Sequence, residues 1–138
     1  MTEPLLIVGG SLFAIFGLLH AVYTLADTYR PRRLVPDDPA LIEAMSSTGV
    51  RLARGGTTMW KAWLGFNFSH SLGAVLFGSL CIALGVFLKS LALPKAVLVL
   101  PVLVSAIYLL LAVRYWFRVP IIGIAIGTLC LFFGWVAY

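Results

Sequence analysis

Four long apolar runs limit what this chain can fold into: residues 4–26, 63–88, 92–117 and 119–138. Each has about the 20 residues that an α-helix needs to cross the hydrocarbon of a bilayer. A transmembrane barrel strand needs only about 10 alternating residues, so runs this long and continuous predict helices. Charged residues make up 11 % of the 138 and hydrophobic ones 62 %, where a soluble domain has about 25 % charged. The length suits a single transmembrane domain, 1–138. Nothing basic precedes the first run, and no small-x-small cleavage site closes it before Asp27. It reads as a permanent helix rather than a signal peptide.

The connections set the topology. Residues 89–93 join the second and third runs, Pro94 suits the first turn of the third, and Arg118-Val119-Pro120 turns into the fourth. Short links make neighbouring helices antiparallel. The fold class predicted is an all-α membrane protein, an up-down four-helix transmembrane bundle. The one sizeable polar stretch is the 27–58 loop. Pro31 and Pro36 keep its start irregular. Asp38-Pro39 is an N-cap followed by a first-turn proline. Leu41, Met45, Thr48 and Leu52 then lie at helical spacing, Arg51 and Arg54 suit a helix C-terminus, and Gly55-Gly56 is a stop. A short amphipathic helix is expected there, lying at the membrane surface or over the mouth of the bundle. Thr57 or Thr58 is expected to cap the second span.

The net charge of +5 comes from residues flanking the spans and carries no nucleic-acid signal. Arg30, Arg32, Arg33, Arg51, Arg54 and Lys61 lie between the first two spans, and Arg114 and Arg118 at the third-to-fourth turn. Only Lys89 and Lys95 fall on the opposite side. The positive-inside bias predicts a cytoplasmic 27–58 loop, both termini outside, and residence in the inner (plasma) membrane as a multi-pass protein.

Small residues mark faces of close approach. Gly10, Ala14, Gly17 and Ala21 form a stripe on the first span, Ala74 and Gly78 on the second, Gly123 and Gly127 on the fourth. They pack this bundle, or one stripe, Gly123/Gly127 foremost, mates with a second subunit in a homo-oligomer or a larger membrane complex. Cys81 and Cys130, alone in their spans, read as small apolar residues.

Against this apolar background, polar groups gather at one level. His20, Thr24 and Asp27 share a face of the first span at spacing i, i+4, i+7, and Trp63, Asn67 and His70 share a face of the second. With the spans antiparallel, His20 and His70 each lie ~10 Å inside the membrane edge, and Arg114 of the third lies ~5 Å in. Ionisable groups at such depth usually face a bundle interior, a cavity or a partner. The cheap arrangement is a hydrogen-bonded set of His20, Asn67, His70 and Arg114, with Asp27 near the rim and Arg114 balancing Asp27 or an acidic ligand.

Several functions fit that set. A His–Asn–His network can simply lock two helices together. A pocket open to the cytoplasmic leaflet would take a membrane lipid, a quinone or another amphipathic molecule, with Trp60, Trp63 and Phe66 as aromatic walls. Its ligand-binding residues would be His20, Thr24, Asp27, Trp63, Asn67, His70 and Arg114. A redox carrier or membrane enzyme would use His20 and His70 for b-type haem or a metal. Two histidines fall short of the three or four protein ligands of a usual zinc site. No H-E-x-x-H, phosphate loop or G-x-S-x-G is present, so no catalytic residue is assigned and the cofactor is unknown. The first of these functional readings is a binding or accessory subunit; the redox protein is the alternative.

Gly17-Leu18-Leu19-His20, Glu43-Ala44-Met45 and Gly65-Phe66 resemble the corresponding stretches of a group of uncharacterised bacterial four-helix integral membrane proteins. The resemblance covers about half the chain. It implies the same fold and a bacterial inner membrane, and carries no activity, cofactor or ligand.

Overall fold

The computed structural model describes residues 1–138. The fold is all-α, a four-helix bundle with a short helix in its first connection. The helices are α1 (Thr2–Tyr29), α2 (Pro39–Ser47), α3 (Met59–Leu91), α4 (Val99–Tyr115) and α5 (Arg118–Val136). α1, α3, α5 and the stretch Lys95–Tyr115 that ends in α4 are each long and apolar enough to cross a membrane. Helices suit that solvent because they satisfy their own backbone N–H and C=O groups. Large side chains such as Ile15, Leu18, Leu76, Leu80, Leu110 and Ile122 are exposed. Apolar exposure on this scale is foreign to a soluble monomer and natural against lipid.

Two compact units divide the chain, Met1–Gly17 with Gly73–Tyr138, and Leu18–Leu72. α1 and α3 run through both.

In the first unit, glycines decide how closely helices approach. A Cβ built on Gly78 would fall 2.5 Å from the Gly10 carbonyl oxygen and 2.5 Å from the Ala14 nitrogen, so α1 and α3 touch backbone to backbone. Gly123 packs against the ring of Phe16, and Gly127 against Phe13 and the Gly9 carbonyl. The Gly123/Gly127 stripe is therefore buried against α1 within one chain. Of the two readings of this stripe, packing within the bundle is the one its contacts match. Phe13 meets Phe77 edge to face at 4.9 Å and Tyr108 at 5.6 Å, which brings α4 to the same centre. Thr128 donates to the Ser105 carbonyl, joining α4 to α5.

The buried positions of α3 run Asn67, Ser71, Ala74, Gly78, Cys81, Gly85, Leu88. Their alternating steps of four and three are those of helices packed at a shallow angle with interlocking ridges. On α1 the same rhythm takes in Leu6, Phe13, Thr24 and Asp27. The seam is apolar or glycine at one end and polar at the other.

The connections depart from expectation at two places. α2 starts as predicted, with Asp38 as N-cap accepting from the Ala40 N–H at 2.9 Å and Pro39 in the first turn. It ends at Ser47 rather than near Arg54. Ser46 and Ser47 turn their hydroxyls back onto the Ile42 and Glu43 carbonyls, a habit that weakens helix ends. Thr48 is extended, and residues 48–50 then pair with 57–59 through Val50 N–H to Thr57 and Met59 N–H to Thr48. Leu52, placed by spacing on the helix stripe, is instead 92 % exposed. Arg54 and Gly55 take the positive φ values that turn the chain back. Thr58 does cap α3, accepting from the Lys61 N–H. The second departure is at Pro94. It leads a short 3-10 turn over Lys95–Leu98, so α4 proper begins at Val99.

Candidate functional site

Asn67 is the centre of the polar cluster in the unit Leu18–Leu72. Its amide Nδ2 donates to the Trp63 carbonyl one turn back at 2.8 Å, which leaves Oδ1 as acceptor. The His20 Nε2–H donates to that oxygen at 2.8 Å. The donor role of His20 Nε2 thus follows from where the amide spends its own protons. Asn67 is buried, and beside it on the seam Ser71 donates to the Asn67 carbonyl. Thr24 donates to the His20 carbonyl at 2.9 Å in the same manner. His70 flanks the seam: its ring meets His20 edge to face, centroids 5.4 Å apart, and stacks near Phe66.

Of the residues singled out from sequence, His20, Asn67 and His70 come together, and Thr24 bonds to the backbone of the same group. Trp63 touches the group through its carbonyl, and its ring turns elsewhere. Ser71 was missed. Its signal was present, since it lies four residues beyond Asn67 on the same helix face. Arg114 is an exposed residue in the last turn of α4, in the other unit.

Asp27 does something different from the rim role expected of it. It is 1 % exposed, and its carboxylate collects three backbone N–H groups from the loop: Arg32 and Arg33 on Oδ1 at 2.9 and 3.0 Å, Leu34 on Oδ2 at 2.7 Å. Three consecutive amides converging on an anion form a nest of the kind that binds phosphate. Here the chain fills it with its own carboxylate. The donors that neutralise it are peptide dipoles.

That nest fixes the loop, and the loop in turn holds a tryptophan. The Leu34 carbonyl accepts from Trp63 Nε1 at 2.9 Å, and the Arg33 guanidinium lies over the Tyr23 ring, 4.5 Å from its centroid. Between these groups opens a cavity of about 380 Å³, lined by Arg33, Leu34, Val35, Pro36, Met45 and Trp63. Aliphatic, proline, thioether and indole surfaces make up all but one of its walls. The charged member is Arg33, and no carboxylate lies within ion-pair distance of it.

The histidine pair does not fit haem as it stands. A porphyrin would have to lie between the two rings, but they are in edge-to-face contact and His20 Nε2 is engaged by Asn67. No group of three or more His, Cys, Asp or Glu side chains is placed to hold a metal ion. Comparison with protein-family models, curated proteins and solved structures finds no match for the chain.

Proposed function

We propose that this small polytopic membrane protein is a binding or accessory subunit that holds an amphipathic, lipid-like or quinone-like molecule at the membrane interface. The site is the cavity beside Trp63, in the cytoplasmic leaflet of a bacterial inner membrane, with both termini outside. The observation that carries this is the lining itself: apolar walls, one cation at the rim, and an indole whose N–H is already spent on Leu34. Ligand sites are typically apolar concavities with a few placed polar groups. The neighbouring His20–Asn67–His70 cluster supports the wall by locking α1 to α3. The His20–Asn67 bond is internal to it, and in this reading the cluster acts as scaffold rather than contact surface. The orientation rests on the basic residues of the 27–58 loop.

The test is mass spectrometry of small molecules that co-purify in mild detergent. The protein is expected to retain a lipid or quinone, and Met45→Trp, which fills the cavity, to release it. Equal retention by the filled variant would refute the site. An absorption spectrum tests the redox reading in parallel: a Soret band lost in His20→Ala or His70→Ala would replace the accessory-subunit assignment. Cysteine labelling that placed the 27–58 loop outside the cell would overturn the orientation.

A further inference from the structure

Resting on that cavity as a ligand site, we infer that its occupant is an anionic phospholipid, with the phosphate at Arg33 and an acyl segment along Leu34, Val35, Met45 and Trp63.

The polar inventory of the lining narrows the ligand. Trp63 Nε1 is committed to the Leu34 carbonyl, so the indole presents apolar surface. The Arg33 and Leu34 backbone N–H groups are committed to Asp27. Among the lining side chains, the polar group left to meet a ligand head is the Arg33 guanidinium, exposed and without a carboxylate partner. A planar guanidinium matches phosphate oxygens in pairs. A quinone carries carbonyls at opposite ends of its ring, and the lining offers one cationic donor group for them. The basic residues next to Arg33 in the chain favour anionic over zwitterionic lipid. Arg30 and Arg32 stand within three residues of Arg33, and they repel a choline or ethanolamine ammonium as they attract a phosphate.

Pre-organisation adds to the selection. The three N–H bonds from Asp27 fix the backbone that carries Arg33, and Tyr23 lies beneath the guanidinium. Less ordering is then left for the ligand to impose.

The experiment is native mass spectrometry of the delipidated full chain in detergent. Equimolar dioleoyl phosphatidylglycerol, dioleoyl phosphatidylcholine and a short-chain ubiquinone compete for it. Phosphatidylglycerol is expected to be retained roughly fivefold over phosphatidylcholine, the ratio that matches one cation–anion contact at a membrane surface. Arg33→Gln should remove most of that preference, Arg32→Gln should leave most of it, and Met45→Trp should release all three probes. Equal retention of the two lipids, preferential retention of ubiquinone, or equal loss in Arg32→Gln and Arg33→Gln would overturn the anionic inference. The cavity would still stand so long as Met45→Trp releases the probe. Retention unaffected by Met45→Trp would remove the cavity reading itself.

Discussion

Asp27→Ala isolates the step on which the candidate site depends. It removes the acceptor of three backbone N–H groups at 2.7–3.0 Å without touching the apolar packing of α1. A hydrogen bond to a charged group contributes about 1.5–3 kcal/mol net, and an N–H left unpaired costs about 1–3 kcal/mol. Water reaches a loop whose Arg32 and Arg33 side chains are exposed, so the low end applies, about 1 kcal/mol for each amide. Local opening should then become easier by about 3 kcal/mol, roughly a hundredfold in the opening equilibrium. Hydrogen exchange reads this directly: the amides of Arg32, Arg33 and Leu34 should exchange about a hundredfold faster, with the centre of α3 unchanged. Asp27→Asn gives a sharper pattern. An amide oxygen in the place of Oδ1 still serves Arg32 and Arg33, while its NH₂ faces the Leu34 N–H, donor to donor. Leu34 should therefore lose the most protection. Trp63 loses its ordered acceptor in the alanine variant, and its fluorescence should shift to the red as the indole finds water. Unchanged exchange at all three amides in Asp27→Ala would refute the nest as the anchor of the loop. So would uniform acceleration of the three in Asp27→Asn.

Three further outcomes follow from the packing. Asn67→Leu removes the His20 contact at 2.8 Å, and thermal unfolding in detergent should show a loss of about 0.6–1.7 kcal/mol, the range of interhelical hydrogen bonds in membranes; a variant as stable as the parent would show that the bond carries nothing. Gly78→Ala should destabilise by about 1–3 kcal/mol, because its methyl meets the backbone of Gly10 and Ala14. Gly65→Ala, with nothing within 4 Å of its built Cβ, should stabilise by up to about 1 kcal/mol through helix propensity; equal effects at the two glycines would contradict the packing described.

The bundle was legible because its signals are local and long. Runs of about 20 apolar residues leave few alternatives, and His20, Thr24 and Asp27 declare one face by their spacing. The partners of Asp27 were not legible, because backbone amides exist at every residue and nothing in Arg32-Arg33-Leu34 says that their N–H groups converge. Charge complementarity pointed instead to Arg114, since a sequence displays side-chain charge and conceals peptide dipoles. The end of α2 was misplaced for a related reason. Leu41, Met45, Thr48 and Leu52 keep helical spacing, yet the pairing of 48–50 with 57–59 wins, and non-local pairing leaves no period in the sequence. The cavity was half legible: Trp63 was named as a wall, while Arg33, Leu34, Val35 and Pro36 lay in a stretch read only as irregular.

The chemistry that holds α1 to α3 differs between the two units. Between Gly10 and Gly78 the helices are held by contact at a distance no side chain could share, and van der Waals attraction is forfeited steeply once such surfaces part. In the unit Leu18–Leu72 the seam is held differently. The bonds of Thr24, of Ser71 and of Asn67 Nδ2 each close within one helix. They satisfy their polar atoms whether or not the helices touch. The His20–Asn67 hydrogen bond and the His20–His70 ring contact cross it there. Breaking that hydrogen bond costs a modest amount and strands no donor from Thr24 or Ser71. The polar residues, costly at first sight in a membrane span, therefore satisfy much of their hydrogen bonding within their own helices and still supply a bond from α1 to α3.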